Sequence, residues 1–243
     1  MPYLKKLNMK YETKILTTKY QKPDAYGALS MPVYYTAAFE FPSARAMSDA
    51  FCGRSASPSY ARIANPTVTY REERVRQLTG AASVTALNTG MAAIHYALTA
   101  VSQAGLNIVA SKHLFGNSVS LLRDTLGALG VEARFADFTR PDEVRGLIDE
   151  RTCALFFEVI TNPQLYVADI CALAAVARDA GVPLVADTTV VPFPCSAPPT
   201  GESTSRWSAA RSTSPAAARG WADCCWTTAA STGAATPPSR CAG

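Results

Sequence analysis

An α/β fold, with a mostly parallel sheet flanked by helices, is what this 243-residue sequence predicts. Three observations carry the prediction. Short β-branched or apolar runs alternate with helix-patterned segments from residue 83 to residue 187, the signature of strand–helix–strand units. Two of the runs, CALFFEVI (153–160) and PLVAD (183–187), are apolar almost throughout, as strands covered on both faces must be. Apolar residues make up 48% of the chain, enough for one sizeable core.

The elements follow in order. Residues 1–60 read as an N-terminal arm, rich in turn signals such as QKPDAYG and GRSASPS, with one short helix over 43–51 capped by Ser43. Pro66 opens a helical pattern that Gly80 closes. SVTALN (83–88) is strand-like and GMAAIHYALTAV (90–101) helical. NIVA (107–110) is a short strand, and the helical pattern of 116–130 stops at Gly130. VEARFA (131–136) is a strand and PDEVRGLIDE (141–150) a helix. CALFFEVI is a buried strand, DICALAAVARDAG (169–181) a helix ending on glycine, and PLVAD a second buried strand. Residues 61–194 are thus expected to be part of one large α/β domain.

Composition narrows the partners. No run of about 18 apolar residues is present, so no membrane span is expected. The first residues, MPYLKKLNMKYETK, are charged and do not read as a secretion signal. The net charge of +4 has no basic stripe behind it, so nucleic acid is not an expected partner. The seven cysteines and two histidines have no zinc-ligand spacing, so no metal is expected. Free thiols fit a cytoplasmic chain.

After Pro194 the character changes. Between Cys195 and Gly243 there is no Val, Ile, Leu, Met, Phe or Tyr, yet all three tryptophans, Trp207, Trp221 and Trp226, stand there. Without aliphatic area such a segment has little to offset its ordering entropy, so residues 195–243 are expected to be a non-native-looking, disordered tail.

Ligands of parallel α/β sheets bind at the carboxyl ends of the strands. Four features fall there. The Asn88-Thr89-Gly90-Met91 turn could offer backbone N–H groups to a phosphate, although its glycine serves turn geometry equally well. Phe115, in His113-Leu114-Phe115-Gly116-Asn117, could cover a ring or fill the core. Glu158-Val159-Ile160-Thr161-Asn162-Pro163 places Asn162 ahead of a proline, which turn chemistry alone explains. Asp187 is the polar end of PLVAD, where a cap or turn former is also common.

Taken together these residues resemble the Cys/Met-metabolism (trans-sulfuration) family of pyridoxal-phosphate enzymes. Tyr60-Ala61-Arg62-Ile63-Ala64-Asn65-Pro66-Thr67 is similar to the family's Y-x-R-x-x-N-P-T, Thr89-Gly90-Met91-Ala92-Ala93 to S-G-M-x-A, and Asp187-Thr188-Thr189 to D-N/T-T. The resemblance implies a partial fold type I large domain without the smaller C-terminal domain, and pyridoxal 5'-phosphate as cofactor. It implies that Tyr60 and Arg62 reach the cofactor phosphate of a neighbouring subunit in a homo-oligomer, and that Gly90 and Met91 bind the phosphate. Phe115 would stack on the ring, Asp187 would pair with its nitrogen, Thr189 would also bind the cofactor, and Asn162 would lie near a small amino-acid substrate. The implied activity is γ-replacement on O-acetylhomoserine, of sulfhydrylase or γ-synthase type, in methionine and cysteine metabolism. A γ-lyase and a non-catalytic cofactor binder or interaction protein are the alternatives.

The Schiff-base lysine that the resemblance requires is missing. No lysine follows Lys112, and the family's S-x-T-K position holds Ala209-Ala210-Arg211-Ser212-Thr213. Arginine stays protonated and cannot replace it. A shift of reading frame accounts for this and for the odd composition together. Read from the third nucleotide of the Cys195 codon, permissible codons for Cys195 to Ser212 spell LRPADWGVDVEVVSSTKY, with the lysine codon straddling Arg211 and Ser212. The chain as written is therefore expected to be inactive.

Overall fold

The computed structural model describes residues 26–28, 30–79, 81–191, 206–210 and 223–228. The chain divides into two compact units, on either side of the Leu78–Thr79 bond.

The first unit holds helices α1 (Ala44–Phe51) and most of α2 (Pro66–Thr79). Ser43 caps α1 as its position predicts, its hydroxyl accepting from the Ala46 N–H at 3.1 Å. The N-P-T part of the arm motif has a local structural task. Asn65 Oδ1 accepts from the Thr67 N–H at 2.9 Å, while Asn65 Nδ2 donates to the Tyr34 carbonyl at 3.0 Å. The Tyr34 N–H in turn donates to the Thr67 hydroxyl at 2.9 Å. One helix start thus holds an extended segment in place.

The second unit is built on a seven-stranded sheet. Its strands are β1 (Ser83–Leu87), β2 (Asn107–Ser111), β3 (Glu132–Ala136), β4 (Thr152–Glu158), β5 (Leu184–Asp187), β6 (Arg206–Ala210) and β7 (Asp223–Thr228). They lie in the order β1-β7-β6-β5-β4-β2-β3. Only β7 runs antiparallel to its neighbours; the other pairs are parallel. The connecting helices are α3 (Gly90–Thr99), α4 (Gly116–Ser120), α5 (Pro141–Gly146) and α6 (Ile170–Ala180). The single helix expected over 116–130 instead passes after α4 into a wider π-helical segment, Leu121–Leu126, which buries Leu121, Leu122 and Leu126. Asp169 caps α6, and Gly181 ends it in the left-handed conformation, φ 69°, that its lack of a Cβ permits.

Strand alternation sorts the core into two layers. Ala154 and Phe156 of β4 face Leu98 of α3 and the π-helical leucines; Leu155 and Phe157 face Val144 of α5 and Leu173 of α6. β4 is therefore covered on both sides, which is why its sequence is an unbroken apolar run.

Two segments of the region expected to be a disordered tail are strands. β6 pairs with β5, and β7 bridges β6 and β1. The physical reason is that ladder hydrogen bonds use backbone groups every residue has, so the open flank of β5 can be paired without aliphatic side chains. The rest of 195–243 lies outside the described residues.

Phe157 is fully buried and stacks on Phe138 at a centroid distance of 5.7 Å. Phe157→Ala is expected to cost about 3–5 kcal/mol in denaturant unfolding. A loss under about 1 kcal/mol would contradict the two-layer core.

Candidate functional site

The carboxyl ends of β2, β4 and β5 and the start of α3 surround a cavity of about 130 Å³. Its lining includes Gly90, Met91, Phe115, Asn162, Asp187 and Thr189, six of the eight residues singled out from sequence. The other two, Tyr60 and Arg62, lie in the first unit. There the Arg62 guanidinium stands 5.4 Å from the Tyr60 ring centroid.

Each wall has a local cause. Thr89 caps α3, its hydroxyl accepting from the Ala92 N–H at 3.0 Å. The first two N–H groups of that helix, on Gly90 and Met91, have no acceptor within the helix and sit at the positive end of its dipole. Asp187 ends β5 and is only 8% exposed. Its Oδ1 accepts from both the N–H and the hydroxyl of Thr189, at 2.8 and 2.6 Å, so the carboxylate is oriented by the residue two positions on. Phe115 stays 41% exposed at the mouth of the turn before α4. Asn162 precedes Pro163 through a cis peptide bond in the loop after β4.

Two cavity residues carried no role in the sequence reading. Ser118 is buried to 1% exposure, and its hydroxyl has no partner among the described residues. Glu158 ends β4 opposite Asp187 in register. Burial pushes its carboxyl up, and the Asp187 charge adds to this, while N–H groups of Phe115 and Asn162 work in the opposite direction. The sequence signal for Glu158 was available: it closes an otherwise apolar strand, as Asp187 closes PLVAD.

Lys112 is not among the lining residues. Its ammonium lies 3.0 Å from Asp137 Oδ2 at the surface. Hydrogen bonds from Thr139, with help from Lys112, hold the Asp137 carboxyl down to about 2. Among the described residues no helix is long and apolar enough to cross a membrane, and no cluster of His, Cys, Asp and Glu could hold a metal ion.

The arrangement suits an anionic, flat, nitrogen-bearing ligand. The helix N-terminus suits a phosphate, Phe115 an aromatic face, and Asp187 a protonated ring nitrogen. The unpartnered Ser118 hydroxyl leaves room for a polar group. These groups fit pyridoxal phosphate, but among the described residues neither a lysine nor any other cationic side chain lines the cavity.

Comparison with known proteins agrees. The family model described as Cys/Met metabolism PLP-dependent enzyme matches residues 12–198. O-acetyl-L-homoserine sulfhydrylase 1 of Thermus thermophilus is 37% identical over 182 residues, 74% of this chain and 43% of the relative. L-methionine gamma-lyase of Pseudomonas putida is 32% identical over 179 residues, 74% of this chain and 45% of the relative. A crystal structure of a candidate O-acetylhomoserine (thiol)-lyase from Campylobacter jejuni, carrying a pyridoxyl-lysine phosphate, superposes with a TM-score of 0.79 at 26% identity. It covers 91% of this chain and 54% of that one. The chain spans about half the length of the relatives it matches.

Two outcomes test the geometry. Thr89→Ala is expected to lower stability by about 1 kcal/mol through loss of the α3 cap; no change in unfolding midpoint would argue against that cap. Asp137 has a folded pKa near 2 against an ordinary value of 3.8, so its contribution is present above about pH 4 and is lost as pH falls towards 2. Asp137→Asn should flatten the acid limb of the stability profile over that window, and an unchanged limb would refute the pairing.

Proposed function

This chain belongs to the Cys/Met metabolism PLP-dependent enzymes, and from that membership we propose that its site is the cofactor-holding half of a γ-replacement enzyme acting on O-acetylhomoserine. The observation that carries the reading is the convergence of Gly90, Met91, Phe115, Asn162, Asp187 and Thr189 on one cavity. When bound, pyridoxal phosphate supplies an electron sink for the substrate's carbons. The N–H groups of Gly90 and Met91 bind the phosphate, and Phe115 covers the ring and excludes water from one face. Asp187, oriented by Thr189, holds the proton on the ring nitrogen, without which the sink is weak. Asn162 stands on the substrate side. Tyr60 and Arg62 supply a cation and a phenol to the phosphate of a neighbouring subunit, so the folded form is a homo-oligomer working in the cytoplasm. A γ-lyase is the second reading, favoured by the similarity to L-methionine gamma-lyase.

The proton-carrying half is missing from this sequence. No lysine stands between His113 and Gly243, and Arg211, at the expected place, lies outside the described residues. A change of reading frame near Cys195 is supported by the match to the family model, which ends at residue 198. Pairing adds support. Arg206 and Trp207 of β6 stand opposite Leu184 and Val185, and permissible codons of the shifted frame allow Val-Val across Arg206 to Ser208, as an interior strand favours. Its permissible lysine codon straddles Arg211 and Ser212, just after β6, which pairs Ala209 with Asp187.

The purified 243-residue chain is expected to show no turnover of O-acetylhomoserine with sulfide, and the frame-restored gene to give both visible cofactor absorbance and turnover. Ordinary enzymatic rates from the chain as written would overturn the missing-lysine argument. A gene whose shifted frame lacks that lysine codon would end the frame argument.

A further inference from the structure

Glu158 is a carboxylate where the strand pattern calls for an apolar residue, only 6% exposed and paired in register with a second carboxylate, Asp187. Burial of a charge beside a like charge is unfavourable unless hydrogen bonds compensate. The compensation is specific. Oε1 accepts from the Phe115 N–H at 2.6 Å, 43 residues earlier in the chain, and Oε2 accepts from the Asn162 N–H at 3.0 Å. Each oxygen therefore holds a different turn, and both turns line the cavity.

We propose that Glu158 is a positioning residue, a two-ended carboxylate clamp that fixes the Phe115 turn and the Asn162 turn relative to one another and so sets the width of the cavity for a flat ring. The consequence for cofactor binding rests on the pyridoxal-phosphate reading; the clamp itself does not.

The chemistry makes a discriminating substitution available. A carboxylate presents two acceptors, whereas a carboxamide presents one acceptor and one NH2 donor. Glu158→Gln conserves size but must point its NH2 at one of the two backbone N–H groups. One turn is then released and the other kept. Glu158→Asp keeps both acceptors but is one methylene shorter, so it too cannot reach both turns.

Two measurements on the 243-residue chain test the clamp. The first is amide hydrogen exchange without cofactor. The Phe115 and Asn162 amides, both in turns, are expected to be protected in the unsubstituted chain, and Glu158→Gln should speed exchange at one of them by about tenfold or more, the loss of one hydrogen bond to a charged acceptor. Unprotected exchange at both amides in the unsubstituted chain overturns the clamp with no variant needed. The second is titration with pyridoxal 5'-phosphate alone, following affinity and the circular dichroism of the bound cofactor's absorption band. Glu158→Gln should bind about tenfold more weakly, with a diminished dichroic band, while its thermal unfolding stays close to that of the parent. Unchanged affinity and an unchanged band would overturn the positioning role. If the unsubstituted chain takes up no cofactor, the cofactor reading fails by itself, and the exchange measurement decides the clamp: equal exchange at both amides in parent and variant overturns it.

Discussion

The double-sided burial of β4 is the constraint on which the rest of this architecture depends. A strand covered by helices on both faces admits no charge along its length, so any ionisable group it carries is confined to its ends. β4 runs apolar from Ala154 to Phe157 and then ends in Glu158. β5 does the same and ends in Asp187, directly opposite. Because the two strands are parallel, both carboxylates emerge on the same edge of the sheet. The polarity of the cavity is thus a product of how the core is built.

The opposite edge is closed by different means. At the amino ends of the strands, Asn107 is fully buried; its amide donates to Asp149 Oδ1 at 2.8 Å, and its carbonyl oxygen accepts from the Thr152 hydroxyl at 2.8 Å. Arg134 reaches Asp149 Oδ2 at 2.6 Å. Every polar group in that network has a partner, which makes it a fixed frame. At the carboxyl edge the Ser118 hydroxyl has none among the described residues. One end of the sheet is satisfied internally, and the other keeps a buried hydroxyl without a partner among the described residues.

Much of this was legible in the sequence because it follows from periodicity and turn chemistry. Ser43, Pro66, Asp169 and Gly181 mark helix ends where the structure has them. Gly90, Met91, Phe115, Asn162 and Asp187 were found at the ends of strand–helix turns and Thr189 through the family resemblance, and all six line one cavity. Glu158 was legible as a polar strand end, but its two partners, 43 residues and four residues away, were not, because no local pattern encodes the longer of those pairings. The π-helical segment escaped because its leucines repeat as those of an α-helix would. β6 and β7 escaped because they are short and lie in a stretch without aliphatic residues, so no apolar alternation marks them.

That last point separates the two parts of the second unit energetically. Net, a hydrogen bond contributes about 1 kcal/mol, while ordering a residue's backbone costs about 1–2 kcal/mol. A strand must therefore draw on apolar burial as well as its ladder. β2, β4 and β5 have that burial, in Ile108, Phe156, Phe157, Leu184 and Val185. β6 and β7 come from a stretch with no aliphatic residue larger than alanine and no phenylalanine. Their register is set against β5 and β1 by the ladder hydrogen bonds. The cavity wall, Gly90 through Thr189, thus stands on the strands with this apolar burial.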